Sequence, residues 1–218
     1  MLKVSFLTSS KKHKVYPEII KWAKNLESSG YQVDIQLTSN SLRGGDFLFL
    51  VSCSEIVSEA VRSRFTKCLV LHASDLPNGR GWSPHIWEIL SGKNEITVSL
   101  IQASDPVDSG DIIYQTSFKL NGGELLDDIN YQLFKVEYEL ILKCLDSANN
   151  LPTRKQNGSS ASFWEKRSEA DSELDINKTI KEQFNLLRVV DNENYPAFFR
   201  HLGSKYVLKI ERLDDASS

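Results

Sequence analysis

The chain has 218 residues, 40% hydrophobic, 10% aromatic and 25% charged, a balance suited to a globular protein that buries a core without disulfides or a structural metal. Its 26 Lys and Arg against 29 Asp and Glu give a net charge of −3, which lacks the basic footprint of a nucleic-acid binder. Cys53, Cys68 and Cys144 form no CxxC pair, no apolar run approaches the ~20 residues that cross a bilayer, and the N-terminus carries no leader-type cleavage site, so a cytoplasmic setting away from membranes is expected.

Residues 2–7 alternate β-branched and aromatic types before the polar Thr8, Ser9 and Ser10, and predict a strand feeding a loop. Residues 17–28 follow with Ile19, Ile20, Trp22, Ala23 and Leu26 at helical spacing, Pro17 at the start and Gly30 past the end. Val33, Ile35 and Leu37 alternate along a second strand, 31–37, and the continuous apolar run 46–51 has the character of a parallel strand covered on both faces. A helix over 54–65 and a further apolar run, 68–71, complete a β-α-β-β-α-β order, which argues for an open, Rossmann-like α/β sheet with helices on both faces.

Residues 72–84 are polar and rich in Gly and Pro, and predict a loop closed by a helix over 85–90. Two more strands, 96–101 and 111–118, flank an acidic loop. The longest helix, 124–147, places Leu125, Ile129, Leu133, Val136, Leu140 and Leu142 on one side. Residues 149–162 are rich in Asn, Ser and Gly and predict a flexible connector. A helix over 175–190 and a hairpin over 197–210 then form a small appendage, so the chain divides into a domain over 1–150 and a linker with subdomain over 151–218.

Ligands of open α/β sheets sit beyond the carboxyl ends of the strands, which directs attention to the loops 52–55, 72–82 and 103–111. His72 directly follows the run 68–71, so its imidazole lies at a strand tip, where it either works as acid or base near neutral pH or merely caps the strand. Asp105, Asp108 and Asp111 fall within one loop; turn chemistry alone accounts for such residues, and no Glu or His follows at metal-ligating spacing. A carboxylate set against His72 is the better use, because it fixes the tautomer and favours the charged ring.

The segment His72-x-Ser74-x-Leu76-Pro77-x-x-Arg80-Gly81-x-x-Pro84, followed by Asp108-x-Gly110-Asp111-Ile112, resembles the core signature of the formyltransferases that use N10-formyltetrahydrofolate. Phe163-Trp164 and Arg167, then Leu174-Asp175, Leu187-Arg188 and Tyr195-Pro196-Ala197-Phe198, are similar to the segment after the catalytic domain in methionyl-tRNA formyltransferase and in nucleotide-sugar formyltransferases. The resemblance implies that family's α/β fold with a small C-terminal helix and hairpin, N10-formyltetrahydrofolate as co-substrate, no metal, and His72 with Asp108 as the catalytic pair. It further implies a folate slot made by Ser52, Cys53, Ser54 and Ile56 on one side and Asp105, Val107 and Asp111 on the other, bordered by Arg80 unless that side chain is simply solvated. Ser10, Lys11, Trp82, Arg188 and Tyr195 are expected around the acceptor. The basic run from Lys11 to Lys14 meets an acceptor anion or is a wet face, and Trp82, Trp87 and Trp164 stack on a ligand or pack in the core.

One departure stands out. The family pattern is Asn-x-His, the Asn amide helping to hold the formyl oxygen, and here that position is Val70, with Ser52, Ser54 and Ser74 as candidate replacement donors. The expected acceptor is a small amino sugar, nucleotide-linked or of the nonulosonic-acid type, because the chain lacks the barrel by which methionyl-tRNA formyltransferase holds tRNA and carries a net negative charge. Glycinamide ribonucleotide formyltransferase is the alternative enzyme, and a non-catalytic folate- or sugar-binding relative is the alternative class. A homodimer through the long helix or the hairpin is a further expectation.

Overall fold

The structure is a computed structural model that describes residues 1–157 and 161–213. Six strands, β1 (Lys3–Leu7), β2 (Gln32–Gln36), β3 (Gly45–Leu50), β4 (Phe65–His72), β6 (Glu95–Gln102) and β7 (Ile112–Lys119), form one sheet in the order β2-β1-β3-β4-β6-β7. The first four run parallel; β6 is antiparallel to β4, and β7 to β6. This is the mixed α/β sheet that the alternation of apolar runs predicts, with β4 near its centre and His72 at its carboxyl end.

Side-chain alternation along each strand sorts the core into two layers. Val4, Phe6, Phe47, Phe49, Leu69 and Leu71 face the larger layer, covered by α1 (Tyr16–Ser28), α3 (Pro84–Leu90) and α4 (Leu126–Asp146). Leu7, Leu48, Leu50 and Cys68 face the smaller one, covered by Leu42 and by Val61 of a short helix, α2 (Glu59–Arg62). The second face therefore has one turn of helix where 54–65 predicts three. Residues 52–57 are drawn out of the helix by Ser52, whose φ of 46° is left-handed, and by the Glu55 carboxylate, which accepts from both the N–H and the hydroxyl of Ser39.

In α4 the buried stripe runs through Ile129, Leu133, Val136, Leu140, Ile141 and Cys144, whereas Leu142 is exposed. The stripe also contains Glu137, 4% exposed, with its Oε2 unpartnered among the described residues. Burial pushes this carboxyl up to about 8, so it is neutral at neutral pH. An unfolded chain releases that proton above about 4.5, so the stability Glu137 contributes is full below that value and is lost as pH rises through 8. Glu137→Gln is therefore expected to flatten the decline in unfolding free energy between pH 5 and pH 8.5 by on the order of 3 kcal/mol. Urea titrations at the two pH values check this; a decline as steep as that of the parent chain would refute it.

The C-terminal part contains α5 (Phe184–Arg188) and the antiparallel pair β9 (Ala197–His201) and β10 (Ser204–Leu208), the hairpin expected for 197–210. The helix expected over 175–190 is reduced to a 3-10 turn, Lys181–Gln183, followed by α5. Upstream of it, the Gln183 carboxamide is bound to the backbone of Asp175 and Lys178, which holds an open loop in place of helical turns.

Candidate active site

Three loops meet at the carboxyl ends of β1, β3 and β4. The first two are joined where the Ser54 N–H donates to Ser9 Oγ at 2.6 Å. The loop after β3 is tied to the acidic loop after β6 by Arg62, whose guanidinium donates to the Val57 carbonyl at 2.9 Å and forks onto the Asp105 carboxylate. That fork holds the Asp105 carboxyl below the usual carboxylate range. Arg62 thereby links the loop that carries Ser52, Cys53, Ser54 and Ile56 to the loop that carries Asp105, Val107 and Asp111. Ile56 is 74% exposed and Val107 52%, so each loop presents an apolar side chain to solvent.

His72 and Asp108 come together from 36 residues apart in the chain, each 7% exposed. Nδ1 of His72 lies 3.6 Å from Asp108 Oδ1, and the other carboxylate oxygen, Oδ2, accepts the Gly81 N–H at 2.9 Å. The opposite ring nitrogen, Nε2, is 2.8 Å from the Gly79 carbonyl, a contact that places a proton on Nε2. Asp108 has a left-handed φ of 59°, tolerated by Asp and used here to turn its carboxylate back onto the ring. The pair is thereby gripped on both sides by the loop 79–81.

Val70 lies on the same face of β4 as His72, two residues back, where an amide would sit beside the imidazole. It packs against the apolar side chains of Leu76, Ile101 and Ile112. Of the three serines considered as replacements, Ser74 is fully enclosed, packed beneath Gly79 with its Oγ unpartnered among the described residues; Ser52 and Ser54 stand in the open loop.

The residues expected around the acceptor divide. Ser10 and Lys11 are exposed on the loop after β1, and Trp82 is 39% exposed with the Lys166 ammonium 5.1 Å over its ring. Lys14 of the same basic run pairs with Asp127 at 3.2 Å. Trp87 and Trp164 stack on each other, 5.6 Å apart at 9°. Arg188 is a correction: its guanidinium donates to the carboxylate and carbonyl of Glu124 and to Asn94 Oδ1, and at 1% exposure it is buried away from any acceptor. Tyr195 lines a cavity of about 220 Å³ with Glu169, Asn194, Phe198 and Lys205 that contains no residue of the strand-tip loops.

Sequence reasoning missed Ser9, Arg62 and a third histidine. Burial pushes His85, at the start of α3, down to about 4, helped by the nearby His13 and His72, and its Nδ1 is unpartnered among the described residues. Among those residues no group of three His, Cys, Asp or Glu gathers to hold a metal, and no helix is long and apolar enough to cross a membrane.

Over 146 residues the chain is 29% identical to methionyl-tRNA formyltransferase of Buchnera aphidicola subsp. Acyrthosiphon pisum, a match covering 66% of this chain and 46% of that protein. The chain thus spans about half the length of the curated relatives it matches. The fold is shared with methionyl-tRNA formyltransferase from Clostridium thermocellum (TM-score 0.82, 21% identity, 100% of this chain and 96% of that one). It is also shared with HypX from Aquifex aeolicus in complex with tetrahydrofolic acid (0.81, 17%, 96% and 37%) and with a sugar N-formyltransferase from Shewanella sp FDAARGOS_354 (0.73, 14%, 98% and 100%). The profile described as Formyl transferase matches residues 10–145, the stretch that carries β4, His72 and Asp108, and with well over half its length inside that profile the chain belongs to the formyltransferase family.

Proposed function

We propose that the protein transfers the formyl group of N10-formyltetrahydrofolate to the amine of a small amino-sugar acceptor. The observation that carries the reading is the enclosed His72–Asp108 pair at the tip of β4. The neutral acceptor amine attacks the formyl carbon. Negative charge develops on the formyl oxygen, and the His72 Nε2–H, now on the Gly79 carbonyl, is the donor that turns to it. Asp108 orients the ring through Nδ1 and helps move the proton that the attacking amine releases to the folate leaving nitrogen. The folate N10 departs as the amide forms.

A polyanionic tRNA acceptor is disfavoured by the net charge of −3, while the exposed Ser10, Lys11 and Trp82 suit a sugar. Turnover of N10-formyltetrahydrofolate by the full chain with a panel of amino sugars, against formylation of methionyl-tRNA, tests the reading. Formyl transfer to a sugar amine supports it; transfer to tRNA, or folate binding without transfer to any amine, refutes it.

Val70 makes the oxyanion contact of this chain one donor short. Val70→Asn is expected to raise kcat roughly tenfold, a fraction of the 10²–10³ that one oxyanion donor carries in an optimised site. The same change is expected to lower the unfolding free energy by about 1–3 kcal/mol, because the amide enters the nest of Leu76, Ile101 and Ile112. A kcat unchanged or reduced in a folded variant would show that the open serines already supply the contact.

A further inference from the structure

The stretch after α4, expected to be a loose connector, is bound to both catalytic loops. The Arg154 and Ile112 backbones exchange hydrogen bonds at 2.8 and 2.9 Å, just after the acidic loop. Further on, the Arg80 N–H donates to the Ser162 carbonyl, the Gly79 N–H to Ser162 Oγ, and the Trp82 N–H to the Trp164 carbonyl. Arg80 and Gly81 (β5) pair in parallel with Phe163 and Trp164 (β8). Gly81 fits only without a side chain, since an added Cβ would lie 2.3 Å from the Trp164 carbonyl oxygen.

Between these two anchors stands Gln156, whose single carboxamide reaches both loops. Its Nε2 donates to the carbonyls of Asp108 at 2.9 Å and Gly110 at 2.8 Å, and its Oε1 accepts from Arg80 Nη2 at 2.8 Å. Both N–H groups and the oxygen are therefore used. The pattern demands an amide of this length: Glu presents a second acceptor to two carbonyl oxygens, and Asn is one methylene short. One of the two carbonyls belongs to Asp108, whose left-handed backbone needs holding if its carboxylate is to stay on His72.

We propose that Gln156 is a positioning residue of the formyl-transfer site, clamping the Asp108 loop to the Arg80 loop so that Asp108 meets His72 and Arg80 borders the folate slot. The assignment rests on the function proposed above, and its test is built to fail separately from it. Gln156→Ala and Gln156→Glu are made in the full chain beside Asp108→Asn. Three quantities are measured: kcat and KM for formyl transfer, melting temperature, and the titration of the His72 imidazole followed by nitrogen-15 NMR without substrate. Both Gln156 variants are expected to lose 10- to 50-fold in kcat, with acceptor KM changed less than threefold. They are expected to melt within a few degrees of the parent and to move the His72 titration in the direction that Asp108→Asn moves it, the Glu variant further than the Ala. A His72 titration unchanged from the parent in both variants overturns the assignment, as does a kcat loss explained by the unfolded fraction alone. If the parent chain formylates no amine, the functional reading falls and the NMR comparison still decides the role of Gln156.

Discussion

Asp108→Asn is expected to lower kcat by about 10³-fold while folate affinity stays within a fewfold, an effect in the range of general acid–base catalysis. The geometry gives the reason. The Gly81 N–H requires an oxygen at Oδ2, so an Asn in this place turns its oxygen there and its NH2 toward His72 Nδ1. A donor facing Nδ1 keeps that nitrogen unprotonated, and with the Nε2 proton on the Gly79 carbonyl the ring is held neutral. It then cannot take up charge as the formyl oxygen becomes anionic. His72→Asn removes the proton carrier outright and is expected to cost a similar factor. Single-turnover kinetics with N10-formyltetrahydrofolate, alongside a folate dissociation constant from fluorescence, provide the check; near-parental kcat with normal folate binding in either variant would remove the pair from the chemistry. Because the acceptor must be a free amine, parental turnover is expected to rise with pH as that amine loses its proton.

Arg188→Ala is expected to reduce stability by about 3–5 kcal/mol, the penalty for removing one partner of a buried ion pair. For a chain of this length that lowers Tm by roughly 10 °C or more. Arg188 lies in α5, whereas Glu124 precedes α4 and Asn94 precedes β6, so its three hydrogen bonds fasten the C-terminal appendage to the sheet. Without the guanidinium, Glu124 keeps the N–H groups of Asn121 and Gly122 but loses the cation it pairs with. Burial opposes ionisation of Glu124, yet those N–H groups and Arg188 outweigh it and hold its carboxyl below the usual range. The stability it contributes is therefore present above the ordinary Glu value and lost as pH falls through the depressed one. Pairing Arg188→Met with Glu124→Gln is expected to cost less than the sum of the single changes. Calorimetry of the parent, the two single variants, the double variant and Arg188→Ala measures this, and an Arg188→Ala shift under 2 °C would refute a clamping role.

Local pattern made much of the fold readable. Strand alternation at Val33 and Ile35, the apolar run at the third strand and the helical spacing of Ile19, Trp22 and Leu26 all report burial on one side of a regular element, which depends on neighbours two to four residues away. The same holds for the site motif: His72 and Asp108 stand in short segments whose residue types announce a strand tip and a tight acidic turn. Where the reading failed, distant partners decided. The helix expected over 54–65 gives way because Ser39 captures the Glu55 carboxylate, and Arg188 leaves the acceptor because Glu124 waits for it 64 residues earlier.

By itself, then, the sequence determined a Rossmann-like α/β sheet, the histidine and aspartate set at its edge, and the valine where the family has an amide. Tertiary structure alone decided what holds those groups still. Arg62 reaches the Asp105 carboxylate from 43 residues away, and Gln156 reaches the Asp108 carbonyl from 48, in a stretch whose composition reads as slack. Long-range hydrogen bonds of single polar side chains leave no periodic trace, because their geometry exists only once the loops have been brought together.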